Sequence, residues 1–326
     1  MSISFIIPYH NIECHFLTRC IDSIRALGNE LDLEIIVIDD GTPQSKAKEC
    51  IESYQDSRIK YTLIPYSGPG GARNKGLELA SKEYVQMIDS DDYIFLAQEQ
   101  EILKIVEKKS PEALIFNYKK VYEKYKTDSH QIIGNILYEG DIIEYMSTHD
   151  IPPSCCMYIL KRSIIGSLRF TPNILHEDEE FSTLLYLNLK NAIVTDYYAY
   201  AYYQRQGSII NSTNEKFIDK RFSDLRLVID KIKTTTAELS IEDRRHNIFL
   251  RKTNILAMCF VINLIRTAYS YQFISKELAH LKTMELYPLA SGNYGFRYSI
   301  IRILTICPLF VKVGYFILIR LGNKIP

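Results

Sequence analysis

The sequence predicts an α/β protein with a Rossmann-like, mostly parallel sheet flanked by helices, and with a helical region appended at the C-terminus. Strand and helix patterns alternate over about the first ninety residues, the order that gives parallel strands joined by crossover helices. Residues 35–38 are apolar at every position, which is typical of a strand covered on both faces. Beyond residue 215 the patterns are helical.

Each element is predicted from a local pattern of apolar residues and turn residues. The strands of the first half are predicted at residues 4–8, 33–38, 59–64 and 84–88. The helices between them are predicted at 16–27, from Pro43 to about 54, and from Gly70 through 80. The middle section, 93–214, is rich in tyrosine, with two further strands predicted at 113–117 and 192–195. The clearest C-terminal helices are predicted at 221–239 and 244–269.

Composition limits the class of protein. The chain has 326 residues, 47% apolar and 24% charged, an ordinary globular balance that allows one large domain or two smaller ones. Lys plus Arg and Asp plus Glu both number 39, so the net charge of zero indicates no nucleic-acid partner. The seven cysteines include no Cys-x-x-Cys pair, and the N-terminus lacks the features of a signal peptide. We therefore expect reduced thiols and a cytoplasmic protein.

Polar segments follow three of the predicted strands at their carboxyl ends. They are Pro-Tyr-His-Asn at 8–11, Asp-Asp-Gly-Thr at 39–42 and Asp-Ser-Asp-Asp at 89–92. Ligands of open α/β sheets bind outside these ends, so the three segments are predicted to form one site. Mg²⁺ and Mn²⁺ are held by one or two carboxylates together with substrate phosphates, so the acidic segment indicates a nucleoside diphosphate site. The alternative is a solvated turn with helix-capping aspartates.

Three further segments carry groups that suit the same chemistry. The glycine-rich loop at 67–76 precedes a helix, where free N–H groups and Arg73 favour phosphate, although a plain glycine turn is the alternative. The run His-Glu-Asp-Glu-Glu at 176–180 either offers a carboxylate as a base or complements a helix dipole. Arg205 follows a tyrosine-rich strand, where it either meets a diphosphate or is a surface arginine.

Together these segments resemble glycosyltransferase family 2, the inverting enzymes of the GT-A fold that use nucleotide sugars. The resemblance covers about the first 215 residues and rests on four segments in order: 5–11, 37–42, 71–76 and 87–92. The last of them is similar to the metal-binding Asp-x-Asp motif of the family. Glu177-Asp178 is similar to the Glu-Asp pair in which the aspartate is the base, and residues 205–208 are similar to a motif that often follows.

The resemblance implies a role for each matched residue. The implied donor-binding residues are Pro8, Tyr9, Asn11, Asp39, Asp40, Gly71, Arg73, Asp89, Asp91 and Arg205. Asp39 is then the nucleobase contact and Asp178 the catalytic base. Asp91 and Asp92 are the implied ligands of Mn²⁺ or Mg²⁺. The implied reaction is transfer of a sugar, with inversion, from a nucleotide diphosphate donor, a UDP-sugar being favoured, to a hydroxyl of a glycan or lipid-linked acceptor in surface polysaccharide synthesis.

The same resemblance predicts the organisation of the chain and leaves one alternative function. Residues 1–95 are predicted to be the nucleotide-sugar-binding half of the GT-A domain, 96–215 its acceptor-binding half, and 216–326 a helical region with a basic amphipathic tail. A sugar-phosphate nucleotidyltransferase is disfavoured, because it should carry Gly-x-Gly-x-Arg where this chain has residues 8–11. A catalytically inactive nucleotide- or glycan-binding relative stays as the alternative, although it would lack the metal ligands or the base.

The C-terminal tail, residues 296–326, has five basic residues and no acidic ones. On a helical wheel of roughly 100° per residue, four of them share an arc of about 120°: Arg302, Lys312, Arg320 and Lys324. Lys312 and Pro308 interrupt the apolar stretch, which falls short of the roughly 20 apolar residues that span a bilayer. Two interpretations stay open: a helix packed on its own domain, and peripheral contact with the inner face of the membrane.

Overall fold

The computed structural model of the chain describes residues 1–122, 134–205, 214–292 and 294–320. The chain divides into two compact units, Met1–Gln206 and Gly207–Pro326. The four segments that carry the resemblance lie in the first unit. Of the predicted motif at 205–208, only Arg205 belongs to the described residues.

The first unit is built on one mixed sheet, which has nine strands in the described part of the chain. The strands are β1 (Ser2–Tyr9), β2 (Asp32–Asp40), β3 (Ile59–Ile64), β4 (Tyr84–Met87), β5 (Tyr93–Ile94), β6 (Ala113–Val121), β7 (Ile136–Gly140), β8 (Tyr158–Lys161) and β9 (Ala192–Tyr203). Their order is β3-β2-β1-β4-β8-β6-β9-β5, and β7 pairs with β9. The strands β3, β2, β1 and β4 run parallel, and β8 runs antiparallel to β4 and β6. The predicted α/β class is confirmed.

Helices accompany these strands in the predicted alternation. They are α1 (Cys14–Arg25), α2 (Ala47–Glu52), α3 (Gly68–Leu79), α4 (Leu96–Lys109), α5 (Ile142–Met146), α6 (Arg162–Ile165) and α7 (Glu177–Tyr186). The predicted start of α2 at Pro43 is wrong, because α2 begins at Ala47. The chain turns first: the Thr42 N–H donates to Asp39 Oδ1 at 3.1 Å, and Gln44 has a φ of +51°.

The register of the parallel strands places the polar segments at one edge of the sheet. Tyr9 of β1 lies opposite Asp39 of β2, and Ile6 lies opposite Met87 of β4. The chain therefore leaves β1, β2 and β4 side by side. All three polar segments predicted from the sequence begin at this edge, as expected for the carboxyl ends of parallel strands.

The second unit is helical in its described residues. Its helices are α8 (Glu215–Ala237), α9 (Arg244–Thr267), α10 (Tyr271–Thr283), α11 (Phe296–Thr305) and α12 (Pro308–Arg320). The side chains of Asn214, Asp243 and Ser270 accept hydrogen bonds from the first N–H groups of α8, α9 and α10. These caps explain where the helices begin, and the two predicted C-terminal helices correspond to α8 and α9.

Among the described residues, α9 is long and apolar enough to cross a membrane, with 44% of its 18-residue apolar window buried. It contacts α8, α10, α11 and α12, as the central helix of a helical unit does. Parts of α11 and α12 meet the same criterion only together, and they are bent by 103°. The predicted arc of basic residues assumed one continuous helix, so it is wrong: Arg302 and Lys312 lie on different helices. Lys324 lies outside the described residues.

Gly76 of α3 allows the helix to pack closely on β1. A Cβ at this position would lie 2.2 Å from Ile6 Cγ2, which real contacts do not allow. We expect Gly76→Ala to lower the free energy of unfolding by about 1–3 kcal/mol, because the crowded core must shift. Gly314 of α12 has open space around it, so Gly314→Ala is the matched control. Urea unfolding of the two variants checks this, and equal midpoints would contradict it.

Candidate functional site

At the end of β2, Asp39 is fully buried and held by two hydrogen bonds. The Tyr61 hydroxyl donates to its Oδ2 at 2.9 Å, and the Thr42 N–H donates to its Oδ1. Tyr9 on the neighbouring strand is also buried, and its hydroxyl donates to the Ile12 carbonyl at 2.5 Å. Pro8 is half-buried. Asp39 and Tyr9 thus form a rigid floor at this edge of the sheet.

Asp40 anchors the glycine-rich loop. Its Oδ1 accepts from the Ser67 N–H at 2.6 Å and from the Ser67 hydroxyl at 2.9 Å, directly before α3. Gly71 lies in the first turn, where a Cβ would be 2.2 Å from Ser67 Oγ. Asp40 therefore fixes the residue that precedes α3. The donor contact that the resemblance implies for Asp40 stays a prediction.

Arg73 connects two of the predicted motifs from the middle of α3. It is only 4% exposed. Its Nη2 donates to Asp89 Oδ1 at 2.8 Å, and its Nη1 donates to Glu177 Oε1 at 2.5 Å. Asp89 follows β4 and Glu177 begins α7, so one buried guanidinium joins the acidic segment to the residue beside Asp178. Arg73 thus binds two carboxylates of the protein and holds them in place. The donor contact that the resemblance implies for Arg73 stays a prediction.

The residues around Arg73 explain why α3 and α7 meet. Asn74 Nδ2 donates to the Phe170 carbonyl at 2.8 Å, and Asn74 Oδ1 accepts from the Phe170 N–H at 2.9 Å. The Phe170 ring stacks on Phe181 of α7, with 3.8 Å between the ring centroids. The segment that precedes α7 is therefore attached to both helices. This explains why Arg and Asn occur side by side at 73 and 74.

Asp92 holds the acidic segment against β9. It is 1% exposed, its Oδ2 accepts from the Tyr200 hydroxyl at 2.6 Å, and its Oδ1 accepts from the Tyr203 N–H at 2.7 Å. Burial, followed by the charges of Asp89 and Asp91, holds the pKa of Asp92 well above its usual range. Both carboxylate oxygens already accept hydrogen bonds from the protein. The structure therefore favours Asp91 over Asp92 as a metal ligand.

Asp91 is the more accessible carboxylate of this pair, with a side chain that is 24% exposed. Arg205 Nε donates to its Oδ2 at 2.7 Å, and Arg19 Nη2 donates to its backbone carbonyl at 2.5 Å. Arg19 lies over the Tyr203 ring, 4.1 Å from the centroid. Burial raises the pKa of Asp91, the charge of Asp89 raises it further, and Arg205 opposes both. Arg205 is thus a counter-ion of the acidic segment.

Asp178 lies in the first turn of α7, next to Glu177, and is half-buried. Its Oδ1 accepts from the Glu179 N–H at 2.8 Å. Burial, and after it the charge of Glu177, raises the pKa of Asp178 to about 7, against the opposing charge of Arg73. A carboxylate with this pKa can accept a proton near neutral pH and release it again, as a general base must.

A cavity of about 610 Å³ lies next to the ends of β1, β6 and β9, and its lining comes from three parts of the first unit. Asn11 and Phe16 line it from the chain that follows β1, Tyr122 from the end of β6, and Tyr203 and Arg205 from the end of β9. The Asn11 N–H donates to Thr42 Oγ1 at 2.9 Å. The cavity therefore offers aromatic surface and one guanidinium at the carboxyl edge of the sheet.

The acidic segment fits a hard divalent cation. Asp89 uses Oδ1 for Arg73 and Asp91 uses Oδ2 for Arg205, which leaves the second oxygen of each carboxylate. The side chain of Asp89 is 40% exposed. No group of three or more His, Cys, Asp or Glu side chains arranged for a metal occurs in the described residues. Two carboxylates with substrate phosphates and water are nonetheless the usual environment of Mg²⁺ in such sites.

The residues of this site that the sequence-based predictions lack include three that contact the acidic segment: Arg19, Tyr200 and Tyr203. Arg19 lies three residues after Phe16 and so on the same face of α1, which is a usable signal in retrospect. Tyr200 and Tyr203 stand in a run of tyrosines, in which no local pattern marks the two that meet Asp92. They contribute because β9 and the acidic segment are neighbours only in the folded chain.

Known protein sequences resemble this chain. The sequence profile of Glycosyl transferase family 2 matches residues 4–165. Glycosyltransferase GlyA of Streptococcus pneumoniae serotype 4 is 29% identical over 227 residues, which are 66% of this chain and 32% of GlyA. Minor teichoic acid biosynthesis protein GgaB of Bacillus subtilis is 26% identical over 187 residues, 56% of this chain and 21% of GgaB. The chain thus spans about a third or less of these two relatives.

Solved structures share the fold. Staphylococcus aureus TarS 1-349 in complex with UDP-GlcNAc matches with a TM-score of 0.68 at 19% identity, over 99% of this chain and 92% of that chain. Mannosyltransferase PcManGT from Pyrobaculum calidifontis, in complex with GDP-Man and Mn²⁺, matches with a TM-score of 0.54 at 14% identity, over 98% and 87%. The predicted GT-A fold is confirmed. With the profile match and the relatives, it follows that the chain belongs to glycosyl transferase family 2.

Proposed function

We propose that the protein is a glycosyltransferase that moves a sugar from a nucleoside diphosphate donor to a hydroxyl group of an acceptor. The observation that carries the proposal is Arg73, which joins Asp89 of the acidic segment to Glu177 beside Asp178. This buried guanidinium holds the acidic segment, our proposed metal and phosphate site, near α7, which carries Asp178, the proposed proton acceptor. A transfer between two bound substrates needs these groups held in a fixed geometry.

The donor binds at the carboxyl edge of the sheet in this proposal. Pro8, Tyr9, Asn11 and Asp39 surround the nucleoside, and Arg205 meets the diphosphate. Support comes from the rigid floor of Asp39 and Tyr9 and from the cavity that Asn11 and Arg205 line. A UDP-sugar is the donor we favour, as TarS is described with UDP-GlcNAc.

Asp89 and Asp91 are the ligands we propose for Mn²⁺ or Mg²⁺. Each has one carboxylate oxygen beyond its contact with an arginine, and each is partly exposed. When bound, the ion neutralises the charge that grows on the leaving diphosphate. Arg205, which pairs with Asp91, is placed to pair with the diphosphate instead. Asp92 has a supporting role, since it holds the segment to β9 through Tyr200 and Tyr203.

Asp178 is the proposed general base. It accepts the proton of the acceptor hydroxyl while the hydroxyl oxygen forms a bond to the anomeric carbon. The bond from that carbon to the diphosphate oxygen breaks on the opposite face, so the configuration inverts. The pKa of about 7 for Asp178 supports this assignment, because its carboxylate is a stronger base than an ordinary exposed aspartate.

The acceptor is a glycan or a lipid-linked glycan in this proposal, and the process is the synthesis of a cell-surface polysaccharide. Relatives such as GgaB, a teichoic acid biosynthesis protein, support it. We place the enzyme in the cytoplasm. The structure forms no disulfide between the seven cysteines, all of which lie in its described residues, and this suits a reducing compartment.

Calorimetric titration of the full chain with UDP, GDP, ADP and CDP tests the proposal. With Mn²⁺ we expect one nucleotide to bind, and EDTA to weaken its binding by about tenfold or more, because Asp89 and Asp91 would hold the ion and its charge would attract the diphosphate. No binding of any nucleotide would contradict the proposal. Slow hydrolysis of the matching nucleotide sugar would separate an enzyme from a relative that only binds it.

A further inference from the structure

The helix pair α11–α12 has an apolar surface that is not buried by the rest of the second unit. Nine large apolar side chains on it are between 39% and 80% exposed: Phe296, Ile300, Ile303, Leu304, Ile306, Leu309, Phe310, Val313 and Phe316. Scattered single apolar side chains are normal on a protein surface. This many within 21 consecutive residues form a patch of the kind that marks an interaction site.

The opposite face attaches the pair to the rest of the second unit. Tyr298, Val311 and Tyr315 are buried. The Tyr298 hydroxyl donates to the Ala290 carbonyl at 3.1 Å, and the Tyr287 hydroxyl donates to the Thr305 carbonyl at 2.6 Å. The two helices are therefore packed through one face and present the other. Of the two interpretations that the sequence leaves open, packing on the second unit explains only the buried side chains.

The charge of residues 296–326 indicates which kind of partner the exposed apolar surface of α11–α12 binds. Residues 296–326 contain five basic residues and no acidic ones, in a chain whose net charge is zero. Lys312 is exposed and lies 5.1 Å from the Tyr271 ring centroid, on the helix that also exposes Phe310 and Val313. Exposed apolar side chains next to cations, with no anions, complement an anionic lipid surface.

The shape of the α11–α12 pair suits helices that lie on the surface of a membrane, and not helices that cross it. The two helical segments are bent by 103° relative to each other, at Ile306 and Cys307. Helices of 10 and 13 residues are about 15 and 20 Å long, shorter than the roughly 30 Å of a bilayer core. Such helices can lie in the headgroup region with their apolar side chains directed inward.

We propose that α11–α12 docks the protein on an anionic lipid bilayer, with the exposed apolar side chains in the interfacial region. The surface concerned is the cytoplasmic face of the membrane, in keeping with the cytoplasmic location that we propose for the enzyme. The docking itself does not depend on the proposed glycosyl transfer, because no residue of the first unit takes part in it.

Flotation of the full chain with vesicles tests the proposal, with phosphatidylcholine alone and with phosphatidylcholine containing phosphatidylglycerol as the two lipids. We expect recovery with the anionic vesicles and a loss in 0.5 M salt, since exposed charges are then screened. Replacing Ile303 and Phe310 by glutamate should lower recovery by about tenfold or more. Ile241→Glu is the matched control, because Ile241 is 79% exposed in the same unit but outside α11–α12.

The results of this experiment distinguish membrane docking from dimerisation through the same apolar surface. Failure of the wild-type chain to float with anionic vesicles, or equal recovery of Ile303→Glu/Phe310→Glu and the wild type, would overturn it. The proposal would also be overturned if light scattering showed a wild-type dimer that is lost in the double variant, and the wild type did not bind vesicles. A second copy of the chain would then cover the patch. Nucleotide binding in calorimetry shows that the variants are folded. If the wild type binds no nucleotide, this result counts against the proposed glycosyltransferase function and not against membrane docking.

Discussion

Asp178→Asn is expected to lower kcat for sugar transfer by about 10²–10⁴-fold, the usual contribution of a general base. The amide keeps the size of the side chain and cannot take the proton of the acceptor hydroxyl. Donor affinity in calorimetry should stay within about twofold, since Asp178 is not among the proposed donor contacts. Glu78→Gln is the matched control, because Glu78 is an exposed acid on α3 whose partner is Lys75.

The wild-type rate should depend on pH through the same group. Below its pKa of about 7, Asp178 is protonated and cannot accept a proton, so kcat should rise with pH and level off above about 7. The residual rate of Asp178→Asn should lack this rise. A variant that keeps the wild-type kcat, or one that keeps the wild-type pH profile, would show that another group is the base.

Asp91→Asn is expected to lower kcat/KM by about 10²–10³-fold, since the leaving diphosphate loses its electrostatic stabilisation. Nucleotide affinity should fall when Mn²⁺ is present and change little in EDTA. This comparison distinguishes a metal ligand from a residue that holds the fold. Equal losses of affinity in Mn²⁺ and in EDTA would contradict the assignment of Asp91.

Asp92→Ala changes the neighbouring aspartate of the same acidic segment, and we expect it to affect stability and not metal-dependent binding. It removes the acceptor of the Tyr203 N–H and the Tyr200 hydroxyl, so the free energy of unfolding should fall by about 1–3 kcal/mol. The gain in nucleotide affinity on adding Mn²⁺ should persist in this variant. If Asp92→Ala loses that gain and keeps its stability, Asp92 is a ligand and the proposed roles of the two aspartates are exchanged.

The positions of the polar segments could be predicted because they depend on local patterns and one general rule. The segments that begin at Pro8, Asp39 and Asp89 each follow an apolar run of strand length, and parallel strands end at a common edge. The start of α2 differs from the prediction because Gln44, the residue after Pro43, has a φ of +51°, outside the right-handed helical region. A proline alone does not reveal the conformation of the residue after it.

The partners of the charged residues could not be predicted. Arg73 meets Asp89, 16 residues away, and Glu177, 104 residues away. Asp40, for which the resemblance implies a donor contact, accepts a hydrogen bond from Ser67, 27 residues away. A motif shows that a residue type is needed at a position, but whether its charge faces a ligand or another side chain depends on which elements pack together.

The sequence by itself determined the α/β class, the strands that carry the site and the family, because periodicity and motif order are local properties of the chain. Only the tertiary structure decided that Arg73 joins the acidic segment to α7, that Asp92 is enclosed by β9, and that α11 and α12 bend apart. The physical reason is that hydrogen bonds and ion pairs form between groups close in space, and folding brings such groups together from distant parts of the chain.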